Sequence, residues 1–195
     1  MDYLFLKRTS RPDPVSAVLP PGFRLVFWRP GFRLRPWGFP ARPFLLWGLW
    51  HRLNVYATPD YGMALIYEGT QLVHRTCLLP AHFRFPFMVR GDLQTAGIWT
   101  RPDRRGMGLA LIALQGSLCR MADPERTLWY MVREDNQPSL RLAEKGGFQL
   151  FGRGRKLPSR AFGLLGAFHI TEVHDGRAPQ PPPRLPPTVP GMPIR

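Results

Sequence analysis

The chain has 195 residues, enough to bury one core of ordinary size, and its 44% hydrophobic and 12% aromatic content excludes a disordered polymer. A formal charge of +14 points to anionic partners such as phosphorylated cofactors, nucleotide sugars, nucleic acid or an anionic membrane surface. Only Lys7, Lys145 and Lys156 are lysines, however, and an arginine bias with abundant Pro, Gly and Ala also follows from a GC-rich coding sequence.

The N-terminal MDYLFLKRTS runs into charge after four apolar residues, which is not a signal-peptide pattern. The first fifty residues are rich in aromatics and arginine and contain PGFRL twice, at residues 21–25 and 30–34; two copies are too few for a repeat architecture, and strand, Pro-Gly turn, strand is the plainer account. Residues 42–54 (RPFLLWGLWHRLN) have the length and apolar face of a helix, with a loop packing aromatics over a cleft as the alternative. The longest greasy stretch, residues 43–50, falls far short of the roughly 20 residues that span a bilayer, so a soluble cytoplasmic protein with no membrane span is expected.

From Met63 the pattern turns to strands. MALIYE, a Glu-Gly-Thr-Gln turn and LVHRTCLL read as a hairpin, and DLQTAGIWT, residues 92–100, as a further strand. Residues 108–122 are mostly apolar and free of proline, as a largely buried helix requires. TLWYMVR (127–133) reads as a strand, residues 138–145 as a short helix with proline in its permitted first turn, and Gly146-Gly147 as its stop. Phe148 onward gives one or two more strands, ending with AFGLLGAFHITEV. The tail, residues 176–195, carries eight prolines between Pro179 and Pro193 and is expected to be disordered or polyproline II. Cys77 and Cys119 form no C-x-x-C pair and the five histidines no H-x-x-x-H spacing, so two reduced thiols and no metal site are expected.

The chemistry centres on TRPDRRGMGLA, residues 100–110. A helix that starts near Gly106 leaves its first N–H groups unpaired and its positive dipole end outward. Glycines let a pyrophosphate approach that backbone, and Arg101, Arg104 and Arg105 add charge around the same point. Taken alone, the segment is equally a tight strand-to-helix turn with solvated arginines.

Two motifs in order decide between these readings. Arg105, Gly108 and Ala110 stand at the defining places of R/Q-x-x-G-x-G/A, and Asn136, Ser139, Glu144, Lys145, Gly147 and Phe148 at those of N-x-x-S-x-x-x-x-E-K-x-G-F, with one helix and one strand between. Over residues 63–156 the chain thereby resembles the GCN5-related N-acetyltransferase family. The resemblance implies an α/β (α+β) fold: a mixed, mostly antiparallel sheet flanked by helices, whose splayed central strands hold acyl-CoA, in one domain over residues 1–175.

It further implies that Arg104, Arg105, Gly106, Met107, Gly108, Leu109 and Ala110 hold the pyrophosphate of acetyl-CoA. Ile98, Trp99 and Thr100 would lie beside the pantetheine and the acetyl carbonyl, with Asn136 and Ser139 along the arm. The plainer role of Asn136 is helix capping. Many relatives carry a tyrosine before the E-K-x-G-F run that protonates the leaving thiolate; here that position is Ala143, which leaves water or the Ser139 hydroxyl, or no acid at all.

Direct attack needs a group to accept the amine proton. His74 and Asp92 are the first candidates; Glu68 reads as solvated and Glu134 as capping or salt-bridged, and a histidine in such a strand is commonly structural. The activity expected is acyl-CoA-dependent N-acyl transfer to an amine acceptor, with the aromatic N-terminal third and the hairpin forming the acceptor cleft. Phe, Trp and Arg there suit an amino sugar or a precursor of cell-surface polysaccharide, although each aromatic taken singly suits the core. A peptide or protein acceptor, and a non-catalytic binding module, are the alternatives. No nucleic-acid motif is present, and the resemblance leaves a homodimer open.

Overall fold

The structure is a computed structural model and describes residues 2–10, 18–30, 35–36, 39, 41–56, 58–158 and 166–174. The proline-rich tail, the second PGFRL copy beyond Pro30 and the first residues of the last expected strand lie outside the described residues.

Among the described residues the chain forms eight strands and three α-helices: β1 (Asp2–Ser10), β2 (Phe23–Trp28), α1 (Ala41–Arg52), β3 (Gly62–Glu68), β4 (Gln71–Pro80), β5 (Leu93–Thr100), α2 (Leu109–Arg120), β6 (Asp123–Arg133), α3 (Gln137–Lys145), β7 (Gln149–Leu157) and β8 (Ala167–Val173). The strands form one sheet in the order β2-β3-β4-β5-β6-β1-β7-β8. Every neighbouring pair is antiparallel except β5 and β6, which run parallel. The expected mixed, mostly antiparallel sheet flanked by helices is what forms. The crossover joining the parallel pair is α2, the buried helix expected from the apolar run after Gly108.

Helix α2 buries Leu109, Ile112, Ala113, Leu114, Ser117 and Leu118, positions that recur at the helical period, and packs on one sheet face over β3, β4 and β5. Asn136 caps α3, accepting from the Ser139 N–H, and Pro138 sits in the first turn where its missing N–H costs nothing. On the opposite face, Phe44 and Trp47 of α1 meet Trp28 edge-on at centroid distances of 5.3 and 5.7 Å, closing a cluster with Phe39, Met63 and Leu65. The loop before β5 covers the rest of that face: Ala81, Phe85 and Met88 pack with Phe5, Trp129 and Phe168.

The N-terminal strand was not anticipated. β1 lies inside the sheet, paired with β6 on one side and β7 on the other. Its sequence alternates poorly because both of its faces are covered: Leu6 packs with the residues beneath α2 and α3, Phe5 with the aromatic cluster opposite. Phe5 is fully buried and meets Phe87 edge-on at 5.0 Å. Phe5→Ala should therefore cost about 3–5 kcal/mol in urea-induced unfolding, as expected of a large core truncation that leaves a cavity.

Candidate functional site

Strands β5 and β6 are paired over three rungs only, Leu93 with Leu128, Gln94 with Trp129 and Thr95 with Tyr130. Beyond Thr95 they part. β5 keeps its pairing with β4 through a bulge, the register slipping between Arg75 and Cys77, while β6 stays with β1. Gly97 supplies the bulge with a left-handed φ of +58°, and a Cβ there would stand 3.1 Å from Cys77 Sγ. The result is a V whose apex is the Thr95–Tyr130 rung and whose open edge is the backbone of residues 96–100. Arg101 N–H donates to Val73 O at 2.9 Å, so Thr100, one residue earlier, turns its own amide and carbonyl toward the gap.

Two buried polar atoms on the last rung, Thr95 Oγ1 and the Tyr130 hydroxyl, have no partner among the described residues, and Gln94 Oε1, one rung back on the opposite face, has none either. Burial pushes the Tyr130 phenol up to about 12, and neighbouring Ser139 opposes the rise without standing in bonding geometry. Buried polar groups are normally satisfied, so the Thr95 and Tyr130 hydroxyls left open on the rung where pairing stops mark a place able to meet something else.

Past Thr100 the chain makes a 3-10 turn at Pro102–Arg104, then exposes residues 105–108 before α2. Gly108 is the N-cap of α2 with φ +75°, and no atom lies within 4 Å of where its Cβ would be. Among the described residues, the amides of Gly106, Met107, Gly108, Leu109 and Ala110 have no backbone acceptor. Free donors, open space and the positive end of a helix together form an anion cradle.

Of the arginines grouped around this cradle in the sequence, the structure holds two elsewhere. Arg101 and Arg104 both pair with Glu68 at the end of β3, at 3.1 and 2.9 Å, and both also reach Asp103. Arg104 first, and then Arg101, hold the Glu68 carboxyl below the usual carboxylate range. Glu68 is thus not merely solvated: it ties the loop to the hairpin. Arg105 remains exposed, its Nε donating to Thr100 O at 3.3 Å, and is the arginine nearest in sequence to the open amides.

The two residues expected as bases sit elsewhere. His74 has no solvent exposure; its Nδ1 lies 2.7 Å from Thr100 Oγ1 and its Nε2 2.9 Å from Thr76 Oγ1, and burial pushes its pKa down to about 4. With both nitrogens engaged, it pins the end of β5. Asp92 lies at the other end of β5, where its carboxylate accepts from Trp129 Nε1, Val89 N–H and Thr127 N–H. It anchors the loop that enters the strand. Glu134 pairs with Arg153 at 3.1 Å. Asn136 uses Oδ1 as the α3 cap, which leaves its side-chain amide donors for other work. The two cysteines are free thiols, and burial pushes that of Cys77 up to about 11. No cluster of metal-ligating side chains occurs among the described residues, and no helix there is long and apolar enough to cross a membrane.

The N-terminal aromatics divide. Phe39 and Phe44 are core, whereas Arg75, on the same face, lies over the rings of Phe39 and Trp99 at 5.9 and 6.0 Å. Gln94, Thr95, Tyr130 and Arg75 were not singled out in the sequence. Nothing local distinguishes a tyrosine at a splay apex from one in an ordinary buried strand.

Neither a family model nor a curated protein matches the chain. Solved structures do. A GCN5-related N-acetyltransferase from Sphaerobacter thermophilus superposes with a TM-score of 0.55 at 18% identity, over 78% of this chain and 49% of its own. A tandem GNAT protein from the clavulanic acid biosynthesis pathway superposes with a TM-score of 0.58 at 14% identity, over 78% of this chain and 51% of its own. The chain spans about half the length of these two structures. It has the GNAT fold.

The environment of His74 sets a pH dependence of stability. Its folded pKa, about 4, lies below the 6.5 of the unfolded chain. The unfolded state therefore binds the proton first as pH falls, and stability drops between 6.5 and 4. The loss should reach about 3 kcal/mol in urea titrations of the wild type, and the His74→Gln variant should lose correspondingly less over the same interval.

Proposed function

We propose that the chain transfers an acetyl or other short acyl group from acyl-CoA to a primary amine by direct attack. One observation carries this reading: the unpaired edge of β5 and the unpaired amides before α2 follow each other along one stretch of backbone, residues 96–110. An extended thioester arm ending in a pyrophosphate presents the matching acceptors in the same order. Acyl-CoA supplies the activated carbonyl; the rest of the work belongs to the chain.

The amides of Gly106 to Ala110, with the Arg105 guanidinium, hold the pyrophosphate. Ile98 and Thr100 bond the arm as a neighbouring strand would, with Trp99 between them turned to β4, and an amide at this edge stabilises charge developing on the thioester oxygen. Asn136 donates its side-chain amide to the arm while its oxygen caps α3. Arg101 and Arg104 act one step back, holding the loop through Glu68.

His74 and Asp92 are engaged too fully to accept the amine proton, so water at the gap takes it. The leaving thiolate is met by the Ser139 hydroxyl, with the Tyr130 phenol behind it. At a pKa of about 12 that phenol keeps its proton at neutral pH and is available as a donor. This pair stands in for the tyrosine that Ala143 replaces. Transfer to a small amine such as an amino sugar fits the arginine and aromatic side chains facing the hairpin.

Two variants and one ligand test the reading. Acetyl-CoA should raise the melting temperature of the wild type, and an amine panel should then release thiol; no shift with acetyl-CoA would remove the proposal. Gly108→Trp should abolish the shift while costing only about 1–2 kcal/mol in stability, since the side chain meets open space but must adopt a left-handed φ. Tyr130→Phe should keep the shift and the fold, because it deletes an unpartnered hydroxyl, yet lower kcat about tenfold or more.

A further inference from the structure

Away from the V, a cavity of about 420 Å³ opens between the end of α1 and the loop that enters β5, lined by His51, Asn54, Tyr56, Thr58, Pro59 and Arg90. Its size is that of a small-molecule site. No acidic residue lines it. The neighbouring Asp60 is already taken, by Arg29 at 3.1 Å and Arg126 at 2.7 Å.

The lining carries one cationic side chain and several hydrogen-bond donors. Arg90 is exposed and has no hydrogen-bond or ion-pair partner among the described residues. The phenol of buried Tyr61 and His51 Nδ1 lie 2.7 Å apart, and in the tautomer in which the phenol donates, His51 Nε2 carries the N–H. Thr58 Oγ1 accepts from Asp60 N–H at 3.2 Å, which leaves the hydroxyl proton to give. Asn54 closes α1 in the left-handed region at φ 51°, a conformation asparagine tolerates, and adds an amide. The rings behind are fixed: Tyr56 packs on Tyr61 at 4.8 Å and edge-on to Trp50 at 6.1 Å.

We propose that this cavity binds the oxyanion group of a small molecule, a phosphate or a carboxylate, through Arg90, His51 and Thr58. An anion with several lone pairs matches a wall that carries an exposed guanidinium, several donors and no carboxylate, whereas a cation or a neutral apolar ligand leaves that guanidinium without a counter-charge. Naming this molecule the acyl acceptor rests on the transfer reading above; the binding itself does not. Arg90 lies three residues before β5 and the apex at Thr95 two residues into it.

The test follows the His51 ring signals by NMR in the full chain, with saturating CoA present to occupy the amides before α2. Inorganic phosphate and succinate are titrated separately, and neutral glucosamine serves as the control. A saturable shift with phosphate alone assigns a phosphate site, one with succinate alone a carboxylate site, and one with both a general oxyanion site; glucosamine should give none. Arg90→Ala, an exposed change that should leave the melting temperature unaltered, should weaken binding about tenfold or more, and Arg90→Lys should restore part of it. No saturable shift with either anion, or wild-type affinity in Arg90→Ala, overturns the proposal whatever acetyl-CoA does. In turnover, Arg90→Ala should raise KM for an anionic amine and leave KM for acetyl-CoA unchanged. Equal KM for that amine in both proteins removes the acceptor role while leaving the anion site standing.

Discussion

Everything at the candidate site follows from two parallel strands that pair for three rungs and then separate. A parallel pair normally continues, because each lost rung exposes donors and acceptors that must find other partners. Here β5 is drawn to β4 by the bulge at Gly97, and β6 to β1, which enters the sheet from the N-terminus. The wedge between them is therefore held open from both sides. His74 fastens one side, joining β4 to Thr100, and Phe5 fastens the other by seating β1 against the aromatic cluster. Both residues hold strands that border the open edge, one through a hydrogen bond and the other through packing.

The charge on the chain acquires a structure of its own. Arg101 and Arg104 spend their guanidinium groups on Glu68 and Asp103, so they rigidify the loop and add little net field. Arg126 is buried on Asp60 and the carbonyls of Gly91 and Met121. Among the exposed arginines, Arg105 lies beside the open amides and Arg90 lines the cavity. A total of +14 thus says less about partners than the two places where arginine is exposed beside unpaired donors.

Local signals made much of this readable in the sequence. The glycine pair before an apolar run, the Asn-x-x-Ser cap and the proline in the first turn of α3 are short-range, and each produced the expected element within a few residues. The β3–β4 hairpin was equally local. What failed to show was long-range. β1 looks like an unremarkable N-terminus because a strand covered on both faces loses its alternation, and its partners lie more than a hundred residues away. His74 and Asp92 were chosen by residue type, but type does not reveal which face of a strand a side chain takes or whether its lone pairs are already engaged. The orphaned polar atoms at the apex become visible only once β5 and β6 are seen to stop pairing between Thr95 and Tyr130.

The same distinction explains why the donor side of the reaction is legible and the acceptor side is not. In the proposed reading backbone amides build the donor side, so its sequence requirement reduces to small residues and a helix start in the right order. Superposable structures keep the fold at 14–18% identity. Side chains drawn from α1, the segment after it and the loop before β5 build the cavity, with Arg90 more than thirty residues from its nearest lining neighbour. No spacing rule links His51 to Arg90; the Tyr61–His51 bond and the course of the loop do. Ligand identity therefore resides in positions that can vary without touching the fold. Those positions, rather than the glycine loop, are where substrate preference would be re-set.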